Sequence, residues 1–260
     1  MSFGPISSAA WLREHLGDAD LVVVDCRFVL GQPGAGERAW EAGHIPGAAF
    51  LDVDRDLAAP PGAGGRHPLP EAADFEAAAR RAGIGGDSGV VAYDEAGEGG
   101  AARLWWLLRH FGHDEVAVLD GGLRGWREEA GELEQGARER PTGDFVARPG
   151  RGDTVTANQL TGVRLIDARA AERFRGEVEP VDPVAGHIPG AANVPFAELA
   201  PRGRFPGPDE LRARLGTEPF VAYCGSGVTA CVLILAADLA GTEARLYPGG
   251  WSGWLARQQP

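Results

Sequence analysis

The heptapeptide Gly-His-Ile-Pro-Gly-Ala-Ala occurs twice in this chain, at Gly43–Ala49 and at Gly186–Ala192. One copy would be an ordinary turn. Each copy, however, follows an Asp-X-Arg that ends an apolar run: LVVVDCR with Asp25 and Arg27, then VRLIDAR with Asp167 and Arg169. Downstream, VVAYD (ending on Asp94) is answered by FVAYC (ending on Cys224). VLDGGLRGW (Val118–Trp126) is answered by LYPGGWSGW (Leu246–Trp254). Four matched segments in one order mean a duplicated domain, so both halves must build the same architecture on the same anchors.

Each half alternates short apolar runs with helical stretches. Val22–Val24, Val90–Tyr93 and Val116–Leu119 are short and rich in valine, as buried parallel strands are. Pro70–Gly83 starts on proline and ends on glycine, the punctuation of a helix. The second half repeats the pattern with a helix over Pro208–Gly216, a strand over Phe220–Tyr223 and a helix from about Val228. Strand and helix in alternation predict an α/β fold with a mostly parallel sheet flanked by helices in each half. The stretch 139–156 is rich in Pro, Gly and charge and lacks a helical period. It predicts a first domain over 1–140, a linker over 141–156 and a second domain over 157–260.

This reading places Cys224 at the carboxyl end of a parallel strand, in the turn before a helix. Ligands of open α/β sheets bind outside that edge. Gly225, Ser226 and Gly227 let the loop curl so that successive N–H groups point inward and form an anion-binding nest. The helix adds its positive end. Both favour the thiolate, the nucleophilic form of cysteine. A buried structural thiol is the ordinary alternative. It is the better reading for Cys231, which sits amid CVLILAA, and for Cys26, which ends a buried strand.

Composition narrows the partners. A net charge of −12 argues against nucleic acid or anionic membrane, whose phosphates need clustered Lys and Arg. Three cysteines, an odd number, make no disulfide framework and point to a reducing, cytoplasmic setting. The start, MSFGPISSAAWLREH, has no long apolar core, and no apolar run reaches bilayer length. No Cys/His cluster has metal-ligand spacing, so no zinc site is expected.

With the paired GHIPGA, the Asp-X-Arg, the VAYC and the Gly-Gly-X-X-Gly-Trp in hand, the chain resembles the tandem-domain rhodaneses, which are sulfurtransferases, over nearly its whole length. The resemblance implies two rhodanese-like domains, the first without a catalytic cysteine, which fits Asp94. The loop CGSGVT is similar to that of the 3-mercaptopyruvate sulfurtransferases. Thiosulfate-preferring members usually carry basic residues directly after the cysteine, where this chain has Gly225 and Ser226. The implied chemistry is a sulfur relay through a Cys224 persulfide, held in a nest of N–H groups from about Gly225 to Ala230, with Gly227, Val228 and Thr229 among them, and it needs no metal or organic cofactor. The donor is a small anion. The acceptor is cyanide, a small thiol or a thioredoxin-like protein. The alternative donor is thiosulfate.

The resemblance also implies that Ser226 works with a histidine and a carboxylate. His44, in the first GHIPGAA, is the matching histidine, while His187 in the second copy is expected to be a turn residue bonded to backbone. Glu37 and Glu41 are the acidic candidates. Arg173 matches the arginine that grips the donor carboxylate, whereas Arg169 is expected to pair with a neighbouring acid. A second donor-binding arginine should precede the second GHIPG, but Glu177–Ala185 contains no basic residue. Cysteine phosphatases share this loop design and place an arginine six positions after the cysteine. Ala230 stands there and excludes them. A non-catalytic sulfur-carrier or binding module is the remaining alternative, and the intact loop around Cys224 argues against it.

Overall fold

The computed structural model describes residues 4–137 and 140–258. They form two compact units, neither of them one continuous stretch of chain. The first takes 4–58, 70–151 and 202–204, apart from the two undescribed positions. The second takes 59–69, 152–201 and 205–258.

In the first unit, five strands run parallel: β1 (Ile6–Ser7), β2 (Leu21–Asp25), β3 (Ala49–Phe50), β4 (Gly89–Tyr93) and β5 (Val116–Leu119), in the order β1-β5-β4-β2-β3. In the second, β6 (Leu165–Asp167), β7 (Ala192–Asn193), β8 (Phe220–Tyr223) and β9 (Ala244–Leu246) run parallel in the order β7-β6-β8-β9. Removing β1 from the first list leaves the same order in both. The central strands β4 and β8 are buried at every position, which is why they read as unbroken apolar runs rather than alternating ones. The predicted helices form at Ala72–Arg81, Pro208–Leu215 and Ala230–Ala240.

The shared motifs are the shared joints of the two sheets. Asp25 and Arg27, at the end of β2, form a buried ion pair at 2.7 Å, and Arg27 Nη2 donates to the carbonyl of Gly43 at 2.8 Å. Asp167 and Arg169, at the end of β6, repeat this at 2.7 Å, with Nη2 donating to Gly186 at 2.7 Å. The tyrosines ending β4 and β8 accept from the backbone of each GHIPG turn: Ile45 N to Tyr93 Oη and Ile188 N to Tyr223 Oη, both 3.1 Å. The first core gathers Leu12, Val23, Ile45, Val91, Tyr93 and Trp126; the second gathers Leu165, Ile188, Val221, Tyr223, Tyr247 and Trp251. Trp105 and Trp106 are buried as well, and Trp254 packs against the second core. Each such side chain contributes about 1.5–3 kcal/mol by leaving water.

The stretch predicted as a linker is tied down along its first half. Gly143 N bonds Arg80, Phe145 N bonds Ile84 and Arg148 N bonds Phe111, at 2.8–3.2 Å. Phe145 is buried edge-on against Phe75, and the apolar area it hides is what holds this loop. Glu139, where that stretch begins, lies outside the described residues.

Candidate active site

Both units build a strand-to-helix loop at the end of their central strand. After β4 comes Asp94, then a turn, then the helix Gly100–His110. The Asp94 carboxylate accepts from the N–H groups of Gly97 (2.6 Å), Gly99 (3.0 Å) and Ala101 (3.2 Å). Converging amides thus surround an anion supplied by the chain itself. Burial raises the pKa of Asp94 in spite of these bonds. Burial, with the nearby Asp94 charge, also lifts Glu98 to about 7.

After β8, Cys224 stands at the position of Asp94, and the helix Ala230–Ala240 follows. Gly227 N, three residues on as Gly97 is in the sister loop, donates to Cys224 Sγ at 3.1 Å. Cys224 is buried but sits at the loop, whereas Cys231 lies inside the helix with its thiol on the Gly227 carbonyl. Cys26 is fully buried, and burial, with the charges of Asp25, Asp94 and Asp56, pushes its pKa well up, so it is an inert thiol. Val228 is buried and Thr229 half-buried. Thr229 caps the helix, so their backbones carry the loop into its N-terminus.

The repeated Gly-Gly that begins the last helix of each unit exists to approach this loop. In the second unit a β-carbon on Gly250 would lie 2.7 Å from the Cys224 carbonyl oxygen. That closeness lets Trp251 N and Ser252 N donate to Cys224 O (2.7 Å) and Gly225 O (3.0 Å). Gly122 does the same against Asp94, whose carbonyl accepts from Leu123 N at 2.9 Å.

Ser226 meets a histidine, but not the one the sequence selected. His67 Nδ1 lies 2.7 Å from Ser226 Oγ, and both residues are buried. His67 belongs to the 59–69 segment, which folds with the second unit; there Arg66 N donates to Ser252 Oγ at 3.1 Å. His44 belongs to the first unit. Its ring is stacked on Trp40 at 4.8 Å with Nδ1 on the Trp40 carbonyl at 2.8 Å, and its backbone bridges to Glu134. His187 has the same environment, stacked on Phe174 at 3.9 Å with Nδ1 on the Phe174 carbonyl at 2.8 Å. The two repeat histidines are therefore both turn residues, and the expectation that His44 partners Ser226 is corrected to His67. Glu37 faces Arg55 at 3.7 Å instead of a site histidine. His67 escaped the sequence reading because GGRHPLP has no period and no second copy. A histidine set between glycines and prolines in a long loop was the available signal.

Arg169 falls as expected. Arg169 pairs with Asp167, and although burial opposes its charge, those bonds raise its pKa. Arg173 holds Glu179 with its fork, Nε donating to Oε2 at 3.3 Å and Nη2 to Oε1 at 2.6 Å, and Nη2 also donates to Asp182 Oδ2 at 3.3 Å. Burial disfavours the Glu179 charge, yet Arg173 and the amides of Asp182 and Val181 hold its pKa below the ordinary value. The remaining loop residue, Gly225, leaves space that the arginines occupy. A β-carbon there would meet Arg66 Nη2 at 2.8 Å and Arg173 Nη2 at 3.8 Å.

Two parallel-sheet α/β units, one with a cysteine in its strand-to-helix loop and the other with a carboxylate at the same place, define a duplicated scaffold. The rhodanese-like domain family matches this chain over residues 8–129 and again over 153–257, so the chain belongs to that family. A Pseudomonas aeruginosa protein named "Probable 3-mercaptopyruvate sulfurtransferase" is 44% identical, covering 98% of this chain and 96% of its own. A Mycobacterium tuberculosis protein, SseB, 44% identical over 89% of this chain and 87% of its own, is instead named for thiosulfate sulfurtransfer. The crystal structure of SseA from Escherichia coli, described as a 3-mercaptopyruvate sulfotransferase with the rhodanese fold, superposes with a TM-score of 0.84. It is 36% identical and covers 96% of this chain and 100% of its own.

Proposed function

We propose that this protein is a sulfurtransferase that moves a sulfur atom from 3-mercaptopyruvate to a thiophilic acceptor through a persulfide on Cys224. The observation that carries this reading is the loop itself. One buried cysteine, with the Gly227 N–H on its sulfur, shares its loop with Ser226 and its unit with His67, and those two side chains are in hydrogen-bond contact.

The step balances without a cofactor. The Cys224 thiolate attacks the donor sulfur, an S–S bond forms, and the C–S bond breaks with its electron pair going to carbon. Pyruvate leaves as its enolate, which takes the proton the donor thiol brought. Cys224 is left as a persulfide anion, its sulfur oxidised by the two electrons the carbon gained. A buried hydroxyl–imidazole pair suits that proton transfer, since the imidazole can take the proton and return it through Ser226. The acceptor then attacks the outer sulfur. Cyanide, a small thiol or a thioredoxin-like protein would serve, and we place the reaction in the cytosol, where thiols stay reduced. Among the described residues no helix is long and apolar enough to cross a membrane.

Intact mass after incubation with 3-mercaptopyruvate should show one sulfur atom added at Cys224, and none after Cys224→Ser. Absence of the adduct with mercaptopyruvate would sink this donor assignment. Thiosulfate is the second donor, favoured by the name of the Mycobacterium tuberculosis relative, and kcat/KM measured for both donors side by side ranks them.

A further inference from the structure

We propose that Arg66 is the second donor-binding arginine of this protein, sharing the donor carboxylate with Arg173 at Gly225. The proposal rests on the mercaptopyruvate reading and adds to it the residue that selects for an acid. The chain has no basic residue between Glu177 and Ala185, so a second cation must come from another segment if there is one. Arg66 comes from the 59–69 segment of the same unit, next to His67, and its Nη2 occupies the side-chain space of residue 225, directly after the nucleophile.

Three features make this a seat for a carboxylate rather than a packed arginine. First, Arg66 and Arg173 converge on the same point from separate segments, the two Nη2 atoms lying within 2.8 Å and 3.8 Å of one β-carbon position. Second, the pair already shares one carboxylate: Asp182 takes Arg66 Nη1 on Oδ1 and Arg173 Nη2 on Oδ2. The two guanidinium groups are therefore spaced so that one planar anion can bridge them. Third, Arg66 Nε is buried and has no hydrogen-bond partner among the described residues. A buried donor left unpaired is costly and calls for an acceptor. Nε and Nη2 form the guanidinium edge that grips a carboxylate with two parallel bonds. Asp182 uses Nη1, outside that edge. In mercaptopyruvate the carboxylate carbon is three bonds from the sulfur, so a donor with its sulfur at Cys224 has its carboxylate beside the neighbouring residue. Arg169 is not the second cation, because Asp167 and the Gly186 carbonyl already hold its Nη2 and Nε edge. Arg173 likewise spends its Nε and Nη2 on Glu179, so it lends its charge to the donor carboxylate while Arg66 supplies the fork.

The experiment compares two donors that differ only in the carboxylate: 3-mercaptopyruvate and mercaptoacetone, in which a methyl group replaces it. Both are followed by single-turnover persulfidation of Cys224 and by steady-state kcat/KM in the full-length protein. Arg66→Ala should lower kcat/KM for mercaptopyruvate about 10- to 100-fold, mainly through KM, as expected for losing a bidentate charged contact. Mercaptoacetone should change less than about twofold, which also shows that the variant is folded. Arg66→Lys should recover part of the loss, because the charge returns without the fork. Equal losses with both donors, or no loss with either, overturn the assignment, and should Arg66→Ala not fold, Arg66→Gln is read by the same two donors. Wild-type protein that takes no sulfur from mercaptopyruvate overturns the donor reading and Arg66 with it. Wild-type that takes it, with an Arg66 variant indifferent to the carboxylate, overturns Arg66 alone.

Discussion

Gly227→Ala separates the backbone cradle from the rest of the loop. Residue 227 has a φ of +82°, which costs an L-residue about 1–2 kcal/mol. Its new β-carbon would also fall 2.6 Å from the Pro248 carbonyl oxygen, a backbone atom with no rotamer to yield. Reaching ordinary contact requires the loop to open by roughly 0.5–0.8 Å, which lengthens the 3.1 Å bond from Gly227 N to Cys224 Sγ by a similar amount. A hydrogen bond to a charged group contributes about 1.5–3 kcal/mol. Its loss predicts persulfidation about 10- to 150-fold slower. Gly241→Ala supplies the control: its φ is +69° with open space around it, so it carries the strain without the collision. Both variants should melt lower, while only Gly227→Ala should slow sulfur addition from mercaptopyruvate, read by rapid quench and intact mass. A Gly227→Ala protein that forms the persulfide within about twofold of wild-type rate would refute the cradle argument.

Other outcomes follow from the site. His67→Ala should lower turnover about 10²- to 10⁴-fold, the usual effect of losing a positioned acid–base. His44→Ala should cost about 1–3 kcal/mol in chemical denaturation and leave turnover nearly intact. Cys231→Ser should retain persulfide formation, because its thiol is sealed within a helix; loss of the adduct would reassign the nucleophile. Glu98 gives a pH signature. Its pKa of about 7 in the fold lies above its ordinary 4.5. The native state therefore holds a proton that the unfolded chain releases, a stabilisation complete below about pH 4.5 and lost as pH rises through 7. Glu98→Gln should flatten the fall in Tm between pH 5 and 8. Parallel Tm profiles for the two proteins would refute it.

Much of this architecture was legible because it is repeated. The Asp-X-Arg, GHIPG and Gly-Gly motifs turned out to be joints: ion pairs onto a turn carbonyl, tyrosine hydroxyls on a turn amide, glycines where a helix meets a loop. Such contacts join positions in a fixed order along each half, so duplication copies them and comparison of the halves finds them. The choice of His44, made from the family resemblance, overlooked this: a residue that recurs in both halves is evidence for the shared scaffold, not for chemistry present in one.

By itself the sequence determined the two α/β sheets, the cysteine at the end of the central strand and the absence of a phosphate-clamping arginine at 230, because all three follow from local pattern and position. Tertiary structure alone decided which side chains meet the loop that follows Cys224. Arg66 and His67 stand about 160 residues from Cys224 and Ser226 in the chain. They lie in a Gly- and Pro-rich loop whose path is set by contacts, such as that of Arg66 N with Ser252, rather than by hydrophobic period. That loop folds with the second unit although it is written in the first half of the chain. No reading of adjacent residues can supply such a pairing, because it exists only where the two segments meet in space.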